Sequence, residues 1–378
     1  MQKFRYALLM AASAGVLLGA ASVAVNAESM SNSPAIQDLS LDSNTMKRAD
    51  RDMKKVLEEL ALLGGKPIET LTAKEARLQP TPTDAVKSLL KKDGTSIEEI
   101  NAELGVVAKD VTYPAGKGEQ KARIYMPEEK SDKPLPVIVY YHGGGFVIAD
   151  IDVYDGAPRN MAKLAKAIIV SPEYRHAPEN KFPAAYDDAF AAYKWAVENA
   201  ASWGGDPANI AVMGESAGGN LAANVAIAAR DANIQKPVHM ALIYPVAGND
   251  MMTESYRENQ NAKPLNKAMM EWFVKNTIKT DKDKNDPRIN LVAANLSTLP
   301  SATIITAEID PLRSDGKLLA EKLEQAGSKV NYKDYEGVTH EFFGMGAVVG
   351  ESVAAMNAVA SDFVDAFDAK IEKKQAVK

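Results

Sequence analysis

The segment Ile210-Ala211-Val212-Met213-Gly214-Glu215-Ser216-Ala217-Gly218-Gly219 passes from a continuous apolar run straight into an alanine-rich stretch, Ala217–Arg230, with no loop between them. A short run with no polar alternation reads as a strand buried on both faces. A strand that turns directly into a helix forces the residue at the corner, Ser216, into a strained backbone conformation, with its hydroxyl projecting above the sheet edge. Gly214 and Gly218, two positions on either side, relieve the crowding of such a corner. The pattern G-x-S-x-G arises easily by chance in a chain with 24 glycines, so its placement between strand and helix carries the argument. The plainer alternative is a packing serine in a tight turn.

The rest of the chain extends this alternation. Short apolar runs at Val137–Tyr141, Ala167–Ser171, Ile210–Met213, His239–Tyr244, Ala302–Thr306 and Val330–Tyr335 are separated by predicted helices at Ala184–Asn199, Ala217–Arg230, Leu312–Gln325 and Ser352–Phe367. That pattern predicts an α/β chain with a mostly parallel central sheet flanked by helices on both faces. A Gly/Lys turn between Val106–Tyr113 and Lys121–Tyr125 predicts a hairpin ahead of it. The spacing between Pro245 and Ser301 is far longer than one crossover helix needs, so residues 246–296 read partly as a cap insertion over the sheet edge. The catalytic domain is accordingly expected at 106–378, preceded by a helical cap segment at 28–105. In that segment Met46, Ala49, Met53, Val56, Leu60 and Leu63 form one stripe at helical spacing.

Residues 1–27 carry Lys3 and Arg5, an apolar run from Ala7, and Val25-Asn26-Ala27 as a small-residue cleavage site. This is the pattern of a signal peptide and predicts export to the periplasm or the medium, without stable membrane insertion after cleavage. An uncleaved anchor is the alternative, since the run is near spanning length. The chain has no Cys, which excludes thiol nucleophiles and cysteine-ligated zinc and suits an oxidising compartment. A net charge of −6 argues against a nucleic-acid surface.

Only four histidines are available for imidazole chemistry. His142 precedes Gly143-Gly144-Gly145-Phe146 after a buried strand. Glycines there let backbone N–H groups approach a negative charge, and Gly144 and Gly145, with the N–H of Ala217, are candidate oxyanion donors. A phosphate-cradling loop is the rival reading, but no G-K-[S/T] follows. His142 reads as a brace for the loop, and His239 as a strand-end residue. In sheets of this kind the order is nucleophile, acid, base, which leaves His340, in the loop after the last strand, as the base for Ser216. The acid should lie between them at a strand's carboxyl end. Asp310 stands there, although Asp before Pro311 is also a good helix cap, and one carboxylate is not expected to serve cap and imidazole equally well. Glu308 and Asp315 are the substitutes.

Together YYHGGGFV, SPEYRHAPENKFPAAYDDA, WGGDPANIAVMGESAGGNLAA, TAEIDPLRSDG and GVTHEFF resemble the hormone-sensitive-lipase-like branch of the α/β-hydrolases, a family of carboxylesterases; the motifs run from Tyr140 to Phe343. The resemblance implies an α/β-hydrolase fold with a helical cap. It further implies a Ser216–Asp310–His340 triad, an oxyanion hole at Gly144, Gly145 and Ala217, and cleavage of small-molecule, short-acyl esters without cofactor or metal. Amidase, lactonase or acyltransferase chemistry would use the same triad. A non-catalytic binding protein is a remoter alternative, because the family includes a hormone receptor that lost its histidine. Two positions depart from the common pattern: Glu215, where many members have Asp, and Glu341, where many have Gly. Phe146, Trp272, Phe273 and nearby methionines are expected to line a pocket between the helical leader, the 246–300 segment and the carboxyl edge of the sheet.

Overall fold

The computed structural model describes residues 42–116 and 118–376; the run at 1–27 lies outside them. Helices α1 (Ser43–Arg48), α2 (Arg51–Leu62), α3 (Ala73–Ala76), α4 (Pro82–Lys92) and α5 (Ile97–Glu103) precede the sheet. The stripe from Met46 to Leu63 is not one helix. It breaks between α1 and α2, where the Asp50 carboxylate accepts the N–H groups of Asp52 and Met53 and so starts a new helix.

Eight strands follow: β1 (Val106–Ala115), β2 (Gly118–Pro127), β3 (Leu135–Tyr141), β4 (Ile168–Pro172), β5 (Gly205–Glu215), β6 (His239–Ile243), β7 (Ser301–Ile309) and β8 (Val330–Thr339). They form one sheet in the order β1-β2-β4-β3-β5-β6-β7-β8. β1 and β2 form the antiparallel hairpin, β2 joins β4 antiparallel, and β3 to β8 run parallel. The helices between them are α6 (Gly156–Leu164), α7 (Ala184–Asn199), α8 (Ala217–Asp231), α9 (Glu254–Glu258), α10 (Lys267–Thr277) and α11 (Arg313–Gln325), and α12 (Gly350–Ala376) follows β8.

Alternate residues of each strand feed two separate cores, as the two-residue side-chain period requires. Val137, Val139, Ile210, Val212 and Leu242 pack with α7, α8 and α11 on one face. Ile138, Tyr140, Ala211, Met213 and Ile243 pack on the other with α6 and α12. Met53, Val56 and Leu57 of α2 and Ala85, Val86 and Leu90 of α4 belong to this second cluster. The leader therefore contributes core to a sheet face as well as approaching the site. Among the described residues no helix is long and apolar enough to cross a membrane.

Candidate active site

The parallel strands deliver their carboxyl ends to one edge, and the candidate residues gather there. β5 ends at Glu215, and Ser216 turns the chain into α8 with φ 56° and ψ −117°, a strained conformation for a residue with a side chain. The corner leaves no room around it: a Cβ on Gly218 would lie 1.9 Å from the Tyr141 carbonyl oxygen, and one on Gly214 would lie 2.1 Å from that of Gly218. The Ser216 N–H donates to Ile243 O at 2.8 Å, pinning the corner to the neighbouring strand.

His340 follows the last residue of β8, and its Nε2 lies 2.9 Å from Ser216 Oγ. Its Nδ1 lies 2.6 Å from Asp310 Oδ2. All three side chains are buried. The double demand on Asp310 is met by dividing its oxygens, because Oδ1 accepts the Leu312 N–H at 2.8 Å while Oδ2 serves the imidazole. Capping is not among its duties: α11 starts at Arg313 with Leu312 at its N-cap and no side-chain cap bond, and Oδ1 of Asp310 serves the turn that precedes it. The substitutes are engaged elsewhere: Glu308 accepts from Arg48 and from the Gly337 N–H, and Asp315 accepts the Gly248 N–H. His239 stands at the opposite end of the sheet, between Ser301 and Thr303 hydroxyls.

Burial alone would lower the His340 pKa. The Asp310 charge and hydrogen bond, helped by Glu341 and Glu215, outweigh it and raise the imidazole above its ordinary value. Glu215 was visible in the sequence only as a departure from the usual Asp. Its Oε1 accepts from Tyr140 OH at 2.5 Å and its Oε2 from Tyr244 OH. Burial still pushes its carboxyl up to about 7. The Tyr244 ring lies 4.6 Å from the His340 ring, so this carboxyl–tyrosine group packs directly beneath the imidazole. Glu341 has φ 68°, and Tyr154 OH donates to its Oε1 at 3.4 Å. Burial raises its pKa too.

Gly144 and Gly145, at φ 95° and 59°, line the same cavity as Ser216 and His340. Ala217 opens α8, so its N–H is among those with no carbonyl partner inside the helix. Three backbone donors thus border the serine. His142 is fully buried and stacked on Tyr174 with ring centres 4.4 Å apart, and its Nδ1 lies 2.8 Å from Gly143 O. It is held within the glycine loop as a brace.

The cavity is small, with a free volume of about 70 Å³. Its walls are Phe146, Ile148, Leu265, Met270 and Phe273, and α10 forms the roof. A Cβ on Gly145 would lie 2.2 Å from Phe273 Cδ1, so roof and glycine loop are in contact. Two expectations change here. Trp272 does not line the cavity, because its indole N–H turns away to donate to Leu71 O at 3.0 Å. Among the described residues the leader does not line it either: the lining begins at Gly144, and Leu71, Ala73 and Ala76 pack behind α10 instead.

Residues 138–344 match a family described as the alpha/beta hydrolase fold. Carboxylesterase NlhH of Mycobacterium tuberculosis is 40% identical over 261 residues, covering 68% of this chain and 81% of that protein. Ethyl acetate hydrolase of Pseudomonas putida is 33% identical over 294 residues, covering 76% and 88%. Among solved structures, the hyperthermophilic esterase from the archaeon Pyrobaculum calidifontis superposes with a TM-score of 0.74 at 33% identity, covering 84% of this chain and 98% of that one.

Proposed function

Because the chain belongs to the hormone-sensitive-lipase-like family of α/β-hydrolases and is a carboxylic ester hydrolase, we propose that it works through a serine acyl-enzyme formed at Ser216. Ser216 Oγ attacks the ester carbonyl carbon and passes its proton to His340 Nε2. The oxygen that becomes an anion is held by the N–H groups of Gly144, Gly145 and Ala217, each such donor being worth about 3 kcal/mol in the transition state. Collapse breaks the bond to the alkoxy oxygen, which leaves with the proton returned by His340. Water, deprotonated by the same imidazole, then attacks the acyl carbon and releases the acid and the serine. Asp310 keeps the proton on Nδ1 and offsets the imidazolium charge at each transfer.

The observation that carries this reading is the unbroken chain Asp310 Oδ2–His340–Ser216 Oγ at the wall of an apolar cavity. An intact base beside the serine favours turnover over mere binding. The test is Ser216→Ala with p-nitrophenyl butyrate. Loss of at least a thousandfold in kcat is expected, and substantial retained activity rejects the assignment. The low roof set by Phe273 supports short acyl groups, and one relative is named for ethyl acetate. Residues 246–296, which contain α9 and α10, act in this reading as the cap, with the described leader residues 42–105 contributing Leu71, Ala73 and Ala76 behind α10. We further propose export through cleavage after Ala27; the mass of the mature N-terminus tests it, and an intact Met1 would refute it.

A further inference from the structure

Behind the glycine loop, His142, Glu173 and His176 bring two imidazole nitrogens and one carboxylate oxygen within 4.8 Å of one another. We propose that these three side chains form a zinc-type divalent metal site that ties the oxyanion loop to the segment after β4. The site lies apart from the triad and takes no part in the reaction proposed for Ser216.

Three observations point the same way. His142 Nε2 and His176 Nε2 are both buried, and among the described residues neither has a hydrogen-bond partner. Buried polar atoms left unsatisfied in this way are uncommon and call for an occupant. Their shared neighbour is Glu173 Oε2, at 3.4 Å from His142 Nε2 and 3.8 Å from His176 Nε2. Tetrahedral zinc with nitrogen and oxygen ligands near 2.0–2.1 Å places its ligand atoms about 3.3 Å apart, so each imidazole nitrogen need close on Glu173 Oε2 by no more than about half an ångström, and no pair of the three atoms by more than about 1.5 Å.

The tautomers also fit. A carbonyl only accepts, so the 2.8 Å contact between His142 Nδ1 and Gly143 O puts the proton on Nδ1 and leaves the Nε2 lone pair free. This is the arrangement in which a second-shell carbonyl orients a metal-binding imidazole. Glu173 is fixed through its other oxygen, with Oε1 accepting the Ile151 N–H at 2.6 Å. Arg77, whose charge reaches His176, is neutralised by its two hydrogen bonds to Glu179. Glu173 and His176 keep 15% and 18% of their side chains exposed, which gives an ion a way in. Water completes a fourth position.

The experiment is zinc titration of the metal-stripped full chain, read as stoichiometry after equilibrium dialysis and as melting temperature. One equivalent should be retained, with a rise of about 5 °C at zinc near a hundred times Kd. His176→Leu should abolish both effects while keeping the metal-free esterase rate. Glu173→Gln, which preserves the acceptor for Ile151, should weaken binding at least tenfold and serves if His176→Leu fails to fold. Absence of binding overturns the site. Equal binding by both variants also overturns it and places the zinc elsewhere.

Discussion

Asp310 faces His340 with one carboxylate oxygen and the turn before α11 with the other, at 2.6 Å to Nδ1 and 2.8 Å from the Leu312 N–H. The two duties can be separated by substitution. Asn at 310 can still accept from Leu312 through Oδ1, but it presents an amide N–H₂ to Nδ1 and so favours the tautomer with its proton on Nε2, facing Ser216. Asp310→Asn should therefore lower kcat by about 10⁴ while the melting temperature stays close to that of the parent. Asp310→Ala also leaves the buried Leu312 N–H without its acceptor, and should cost about 1–3 kcal/mol of stability in addition. Esterase kinetics set beside thermal unfolding of the two variants checks this. Equal kcat in Asp310→Asn and the parent would remove Asp310 from the triad.

Glu341 sets the pH range of the same imidazole. His340 works as a base only when neutral, and its pKa stands above the ordinary value, so kcat/KM should rise with pH through a midpoint above 6.5. Glu341 contributes to that elevation by its negative charge. Glu341→Gln removes the charge and keeps an acceptor for Tyr154, so the acidic limb should move to lower pH. A pH series of kcat/KM on one short-chain ester decides the point; a limb that moves upward contradicts it.

The elements that hold the triad were legible because each has one unambiguous physical signature. Val137–Tyr141 and Ile210–Met213 are uniformly apolar because both faces of the sheet are covered, and the glycines around Ser216 are forced by backbone contacts of about 2 Å. What escaped was set by tertiary partners. The α6 segment GAPRNMAKL has small residues and an internal proline, and its helix is fixed by packing of Met161 and Ala162 on the sheet. The break at Asp50 shows only when its carboxylate is seen to cap α2. Glu215 and its two tyrosines are far apart in sequence. Tyr140 sits near the end of β3 and Tyr244 just past the end of β6, and only the β3-β5-β6 strand order brings them to one carboxyl.

In the proposed acyl-enzyme, Phe273 should limit how much acyl chain fits. Its ring touches the glycine loop and closes the cavity over Ser216. In a p-nitrophenyl ester series the parent should prefer acetate to butyrate over dodecanoate, and Phe273→Ala should move the optimum to longer chains. Gly145→Ala should lose at least tenfold in kcat/KM, since its Cβ meets the ring and its φ of 59° disfavours a side chain. Phe273→Ala in the same chain should recover part of that loss, because it removes the atom met. A double-mutant cycle with no recovery would place the cost of Gly145→Ala in the backbone alone.

Glu215 makes stability depend on pH in the direction opposite to a salt-bridged carboxylate. Its folded pKa of about 7 lies above the ordinary 4.5, because burial disfavours the charged form more than the Tyr140 and Tyr244 hydroxyls favour it. The folded state thus holds this proton more tightly than the unfolded chain does. The associated stability is full below about pH 4.5, is lost as pH rises through 7, and is constant above that. The span from 4.5 to 7 corresponds to about 3 kcal/mol at most. Glu215→Gln carries no proton to lose, so its stability should fall less than the parent's between pH 5 and 8. Like the protonated acid, its amide accepts from one tyrosine and donates to the other, so at pH 5 its stability should stay close to the parent's. Urea unfolding of both proteins at several pH values gives the two curves. If they run parallel between pH 5 and 8, Glu215 is already ionised throughout and the tyrosine hydroxyls outweigh its burial.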